Sequence, residues 1–217
     1  GKRLKPITNN TPKCLVKIKN KPIINHWIEK LMKCNIKQIL INTHYLSYKV
    51  IQELNKSPYR SKIVVTNERK LLGTAGTLLK NKKFLDDEIL LAHCDNFFFE
   101  SLNKYINSYK KKHKKYTMSV MVFKTKSPSK CGIFEMNKGK IVGFHEKKNN
   151  NKGNLANSAI YILSREIIND LIKSKRNISD FSNDVIPNNL NKIHLYKTNK
   201  QLFDIGEVRT LFKVNQL

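Results

Sequence analysis

The chain has 217 residues, enough to bury one core and short for two, so a single domain over 1–217 is expected. Its 42 Lys and Arg against 16 Asp and Glu give a formal charge of +26, but only six of the cations are Arg and the lysines are dispersed, so no nucleic-acid partner is indicated. No stretch reaches the roughly 18 apolar residues of a membrane span, and Cys14, Cys34, Cys94 and Cys131 lie far apart with no C-x-x-C pair, so no membrane partner, zinc ribbon or disulfide framework is expected and the cytoplasm is the expected compartment.

Ile23, Ile24, Trp27, Ile28 and Leu31 recur at helical spacing, and the short branched run 38–42 reads as a buried strand. Leu46, Val50, Ile51 and Leu54 mark a second helix, 63–65 a second strand and 88–93 a third. This alternation predicts a parallel sheet with helices on both faces. The run Lys110 to Lys115 follows a helical pattern and reads as a solvated helix end. Beyond Tyr116 the pattern becomes strand-rich, with runs at 117–123, 133–135 and 140–144 around the turn Asn137-Lys138-Gly139, and at 159–162. Helical runs at 165–171 and 180–186, a strand at 193–196 and a final helix from Glu207 follow, with an Asn/Lys-rich loop at 148–154. Trp27 and the apolar helix faces fit either a core or a homodimer contact.

Several residues carry candidate chemistry. Arg3 and Lys13 sit among restricted backbone at Pro6 and Pro12, an arrangement that suits either phosphate binding or a solvated loop. Asp95 ends the third strand, where open parallel sheets bind ligands, so it is either a magnesium ligand or a turn cap. Asp204, before Gly206, is a second candidate carboxylate, with an N-cap for the final helix as its other reading. His93 and Asp95 share a strand face, a spacing that also admits a His/Asp transition-metal pair. Leu72-Gly73-Thr74-Ala75-Gly76 opens a helix with small residues, which allows close backbone approach to a base edge or phosphate, or tight helix packing.

The segments GKRLKPITNNTPKCLVKI, NKPII, LLGTAGTL, the apolar run ending in Asp95, CGIFE, FHEK, NLANSAIYIL and FDIG occur in one order over nearly the whole chain. In that order the chain resembles the sugar-phosphate nucleotidyltransferases, and among them short bacterial enzymes of the mannose-1-phosphate guanylyltransferase type. The resemblance implies an α/β, Rossmann-like (GT-A-like) fold, with a mixed, mostly parallel sheet flanked by helices and a smaller strand-rich sugar-binding part. It implies a nucleotide-binding half, 1–115, and a sugar-phosphate-binding half, 116–217. Only Gly1 represents the family's glycine-rich loop, so about ten further residues in front, carrying a first central strand and phosphate-cradling N–H groups, are expected.

The same resemblance implies the roles. Arg3, Lys13, Asp95 and Lys147 would be catalytic. Gly1, Arg3, Lys13, Leu72, Gly73, Thr74, Ala75 and Gly76 would bind the nucleotide, and Gly132, Glu146, Lys147, Asn154 and Asn157 the sugar phosphate. Asp95 and Asp204 would hold Mg²⁺. The partners would be a nucleoside triphosphate, GTP rather than UTP, dTTP or CTP, and a mannose- or heptose-like sugar 1-phosphate, for surface glycan assembly. A non-catalytic nucleotide-sugar-binding regulatory subunit is the alternative. A sugar 1-phosphate is already ionised at neutral pH, so the chemistry needs positioning and charge neutralisation rather than a general base.

Overall fold

A computed structural model describes residues 2–99, 101–112, 114–148, 152–174 and 179–217. Gly1 and the middle of the 148–154 loop lie outside the described residues, as does His113 in the lysine run. The chain divides into two compact units, the first formed by Gly1–Leu71, His93–Leu102 and Leu202–Leu217, the second by Leu72–Ala92 and Asn103–Gln201.

In the first unit, β1 (Lys17–Ile18) and β2 (Lys21–Pro22) form a small hairpin that leads into α1 (Ile23–Met32). Helix α1 buries Ile23, Ile24, Trp27 and Ile28, the face that the 3.6-residue spacing marks. Strand β3 (Ile39–Thr43), α2 (Ser47–Asn55) and β4 (Ile63–Asn67) follow, and β3 pairs in parallel with β4 from Ile39↔Ile63 to Thr43↔Asn67. Ile24, Ile28, Ile39, Val50, Leu54 and Ile63 close the core between helices and sheet, each stabilising it by roughly 2 kcal/mol. Trp27 is buried too, 6% exposed, with its ring against Phe98.

The second unit begins with α3 (Gly73–Lys80) and β5 (Glu88–Ala92). The chain passes through β6 (Asn96–Phe98) of the first unit into α4 (Leu102–Lys110), and the lysines after Lys110 are exposed, as a solvated helix end requires. The remaining strands here are β7 (Met118–Lys124), β8 (Gly132–Asn137), β9 (Lys140–Glu146), β10 (Leu155–Ser164) and β11 (Ile193–Lys197), with α5 (Arg165–Lys173) after β10. Among the described residues the sheet order is β11-β7-β10-β8-β9, with β5 also on β10. Strand β11 is parallel to β7, while β10 runs antiparallel to β5, β7 and β8. The parallel pairing that helix–strand alternation predicts is thus found at β3–β4, and β11–β7, in the strand-rich part, is parallel as well. Strand β5 differs, because its partner is a long strand entered from the β8–β9 hairpin.

That hairpin turns at Lys138 and Gly139, both at positive φ (44° and 77°), the two-residue turn that suits strand twist. Met118, Val120, Val122, Phe134, Tyr161, Leu163, Ile167 and Phe181 share the second core. The last strand, β12 (Leu202–Asp204), returns to the first unit and pairs antiparallel with β6 before α6 (Val208–Gln216).

Candidate active site

The site in the first unit is assembled by the β12–β6 pairing. Its register sets Asp204 opposite Asn96, next to Asp95, and a hydrogen bond from Ile205 N to the Asp95 carbonyl, 2.9 Å, extends it. The stretch after Asp95 is anchored from below. The Trp27 indole N–H donates to the Asn96 carbonyl at 2.9 Å, and Phe97 and Phe98 meet His26 and Trp27 edge to face.

Lys13 reaches this point from the short helical turn Lys13–Leu15 behind Pro12. Its ammonium lies 2.5 Å from Asp95 Oδ2 and 3.4 Å from Asp204 Oδ1, so one cation is shared by two carboxylates. The Arg3 guanidinium stands 3.6 Å from Asp204 Oδ2 and donates to Glu207 Oε1 at 3.1 Å. A Cβ on Gly206 would stand 2.9 Å from Asp204 Oδ1 and 3.0 Å from the Arg3 guanidinium, so glycine is what lets these groups converge. Glu207 joins the cluster without any signal in the sequence pattern, since its contact spans 204 positions.

The second unit holds the other candidates. Gly132 of β8 is opposite Glu146 of β9, and a Cβ at Gly132 would collide with Glu146 Oε2 and the Phe144 ring. Glu146 is therefore tucked against bare backbone and is 19% exposed. The Lys147 ammonium, 67% exposed, rests 3.1 Å from Glu146 Oε1, and its backbone at φ 49° donates to the Cys131 carbonyl at 3.1 Å. The neighbouring His145 Nε2 lies 2.8 Å from Glu135 Oε2, and Lys152 holds the other oxygen at 3.0 Å. These hydrogen bonds, that of His145 first, keep the Glu135 carboxyl below its ordinary range.

Asn157 lies within β10, at a bulge where the register shifts before Tyr161. Asn154 is exposed, and its carbonyl accepts from Thr125 N at 2.9 Å. Leu72 precedes α3, where the close approach provided by Gly73 is to the Ser179 carbonyl. That carbonyl accepts from Ala75 N at 2.9 Å and Gly76 N at 3.3 Å, while Thr74 Oγ1 accepts from Phe181 N at 2.9 Å. The 179–186 segment is thus what the small residues of α3 accommodate in this unit.

Two carboxylates already converge on one cation, the Lys13 ammonium, so the donor set at Asp95 and Asp204 suits a hard divalent ion that takes its other ligands from phosphate and water. Among the described residues no group of three or more His, Cys, Asp or Glu forms a metal cage. Beside Lys13 a cavity of about 260 Å³ is lined by Cys14, Ile41, His44, Tyr45 and Cys94. Burial pushes the Cys14 thiol up to about 11 and raises Cys94 as well, which favours the neutral thiol in both. All four cysteines are free thiols.

A family model described as nucleotidyl transferase matches residues 1–217. The chain belongs to the nucleotidyl transferase family. Among its relatives are the bifunctional protein GlmU of Methanocaldococcus jannaschii, 28% identical over all of this chain and 51% of that protein. The mannose-1-phosphate guanylyltransferase catalytic subunit beta of Xenopus tropicalis is 31% identical over 77% of this chain and 48% of its own. The chain spans about half the length of the curated relatives it matches. In fold, the chain is similar to a putative glucose-1-phosphate thymidylyltransferase from Bacillus anthracis in complex with a sucrose (TM-score 0.86, 21% identity, 99% of this chain and 89% of that one). HddC from Yersinia pseudotuberculosis complexed with GMP-PN gives a TM-score of 0.79 at 22% identity over 99% and 93%. The fold is accordingly the Rossmann-like mixed α/β fold of these enzymes, with helices flanking the sheet.

Proposed function

We propose that the chain transfers a nucleoside monophosphate from a nucleoside triphosphate to a sugar 1-phosphate, giving a nucleoside-diphosphate sugar and pyrophosphate. The observation that carries this reading is the Lys13 ammonium shared by the Asp95 and Asp204 carboxylates, with Arg3 at the same cluster. Such a set exchanges readily with a metal–triphosphate complex, because every charge has a partner of the same kind waiting in the ligand.

In this reading Asp95 and Asp204 would hold Mg²⁺, which would supply neutralisation of the phosphate oxygens. Lys13 and Arg3 then turn their positive charge to the triphosphate. Glu146 accepts from the sugar hydroxyls in its recess over Gly132, Asn157 supplies an amide to the sugar, and the exposed Lys147 swings to the sugar phosphate. An oxygen of the sugar phosphate, already ionised above its second pKa of about 6, attacks the α-phosphorus. The bond from that phosphorus to the bridging oxygen breaks, and pyrophosphate leaves with the electron pair. No proton transfer is required, so no histidine acts as a base.

GTP with a mannose-like sugar is the preferred pairing, supported by the 31% identity to the Xenopus tropicalis guanylyltransferase subunit. The test is pyrophosphate release with Mg²⁺ across five nucleoside triphosphates and a panel of hexose, amino-sugar and heptose 1-phosphates. A single responding pair, silenced by EDTA, is expected. Nucleotide binding with a silent grid would replace this reading with the regulatory one.

A further inference from the structure

Asn157 is held at both ends of its amide. Its Oδ1 accepts from Ala159 N at 2.9 Å, and because a backbone N–H only donates, the amide orientation is fixed. The Nδ2 therefore faces the other way and donates to the Tyr161 phenol oxygen at 2.8 Å. The bulge makes this possible: Ala159 stands at φ 54° and the register of β10 shifts between Asn157 and Tyr161, so both side chains meet. Tyr161 is fully buried and beyond the reach of any ligand. Its ring packs on Phe181 at 4.6 Å between centroids, and Phe181 is tied through its N–H to Thr74 on α3. Burial pushes the phenol up to about 12, so it stays protonated, with Ser182 as a second hydrogen-bonding partner.

We propose that Tyr161 is the positioning residue of the sugar site: by accepting one N–H of Asn157 it leaves that amide with one N–H and one oxygen lone pair in a fixed direction for a sugar hydroxyl. The proposal rests on the reading of Asn157 as a sugar contact. A pre-set amide saves the ordering cost of fixing a side chain when the sugar arrives, and so acts on sugar affinity rather than on the phosphoryl step.

Tyr161→Phe removes the hydroxyl and keeps the ring against Phe181. In active wild-type background the variant is expected to raise KM for the sugar 1-phosphate about five- to tenfold, the size of one hydrogen bond. Its kcat and its KM for the triphosphate stay within about twofold, and combining it with Asn157→Ala adds little to the KM effect of Asn157→Ala alone. A folded Tyr161→Phe with unchanged sugar KM overturns the proposal. A second readout does not need activity: the Asn157 side-chain amide, observed by nitrogen-15 NMR, should lose its exchange protection in Tyr161→Phe. Retention of that protection shows that the phenol does not hold the amide and also overturns the proposal. A wild type silent toward every substrate pair refutes the functional reading, and with it the sugar content of this inference, while the amide signal still decides whether Tyr161 holds Asn157.

Discussion

The charged group of the first unit and the hydrogen-bonded group of the second are held in place by different means. Arg3, Lys13, Asp95, Asp204 and Glu207 come from distant points of the chain and hold one another by charge, with Lys13 and Asp95 separated by 82 positions and Arg3 and Glu207 by 204. Glu146, Lys147 and Asn157 are set by local backbone instead, namely the Gly132–Glu146 pairing, the Cys131–Lys147 hydrogen bond and the β10 bulge. The first arrangement is satisfied internally and, in the proposed reading, would be exchanged for ligand. The second, in the same reading, would stand ready before any ligand arrives. Charge removal should therefore disable the first without unfolding it, whereas added bulk should disable the second.

The largest effect is expected from the charges. Asp95→Asn and Lys13→Ala should each lower pyrophosphate release about 1,000-fold, on the scale of losing a group aimed at transition-state charge, with a melting temperature close to wild type because these pairs are partly solvated. Steady-state rates with circular dichroism melts check both halves, and a large melting shift would break the comparison.

Next is Gly73→Ala, which forces a Cβ into the Ser179 backbone, 2.8 Å from its carbonyl carbon, at φ 76°. Overpacking and the left-handed strain together should cost about 3 kcal/mol, visible as a melting shift of roughly 6–12 °C. Gly132→Ala should be milder for folding but raise the sugar KM severalfold, since the new methyl displaces Glu146 or Phe144. An unaltered KM there would show that the recess plays no part in sugar binding.

How much of this was legible in the sequence depends on the range of each contact. The helical faces of Ile23, Ile24, Trp27 and Ile28, the strand ending near Asp95 and the hairpin at Lys138-Gly139 all follow from local period and turn chemistry. The β12–β6 register, Glu207 at the charge cluster and Ser179 against Gly73 join residues about a hundred or more positions apart, and no local pattern encodes them. The bulge at Ala159 was hidden for another reason. Alanine rarely adopts φ 54°, so nothing in its identity marked the strand as irregular, and the strand run was legible only from Ala159 onward.

The smallest effect concerns pH. Burial, then the Lys112 charge, lowers the His194 pKa below its ordinary 6.5. A depressed value means that its contribution is complete above about pH 6.5 and is lost as pH falls through the lowered folded value. The wild type should lose more melting temperature than His194→Gln on acidification across that window, and equal slopes would assign the loss elsewhere.

The most direct test of the transfer reading follows the phosphorus atoms. The chain is given the responding triphosphate labelled at either the α- or the γ-phosphate, with its sugar 1-phosphate. Label from the α-position should appear in the nucleoside-diphosphate sugar and label from the γ-position in pyrophosphate. Label passing from the γ-position to the sugar, or remaining in unreacted triphosphate with every sugar 1-phosphate, would contradict it.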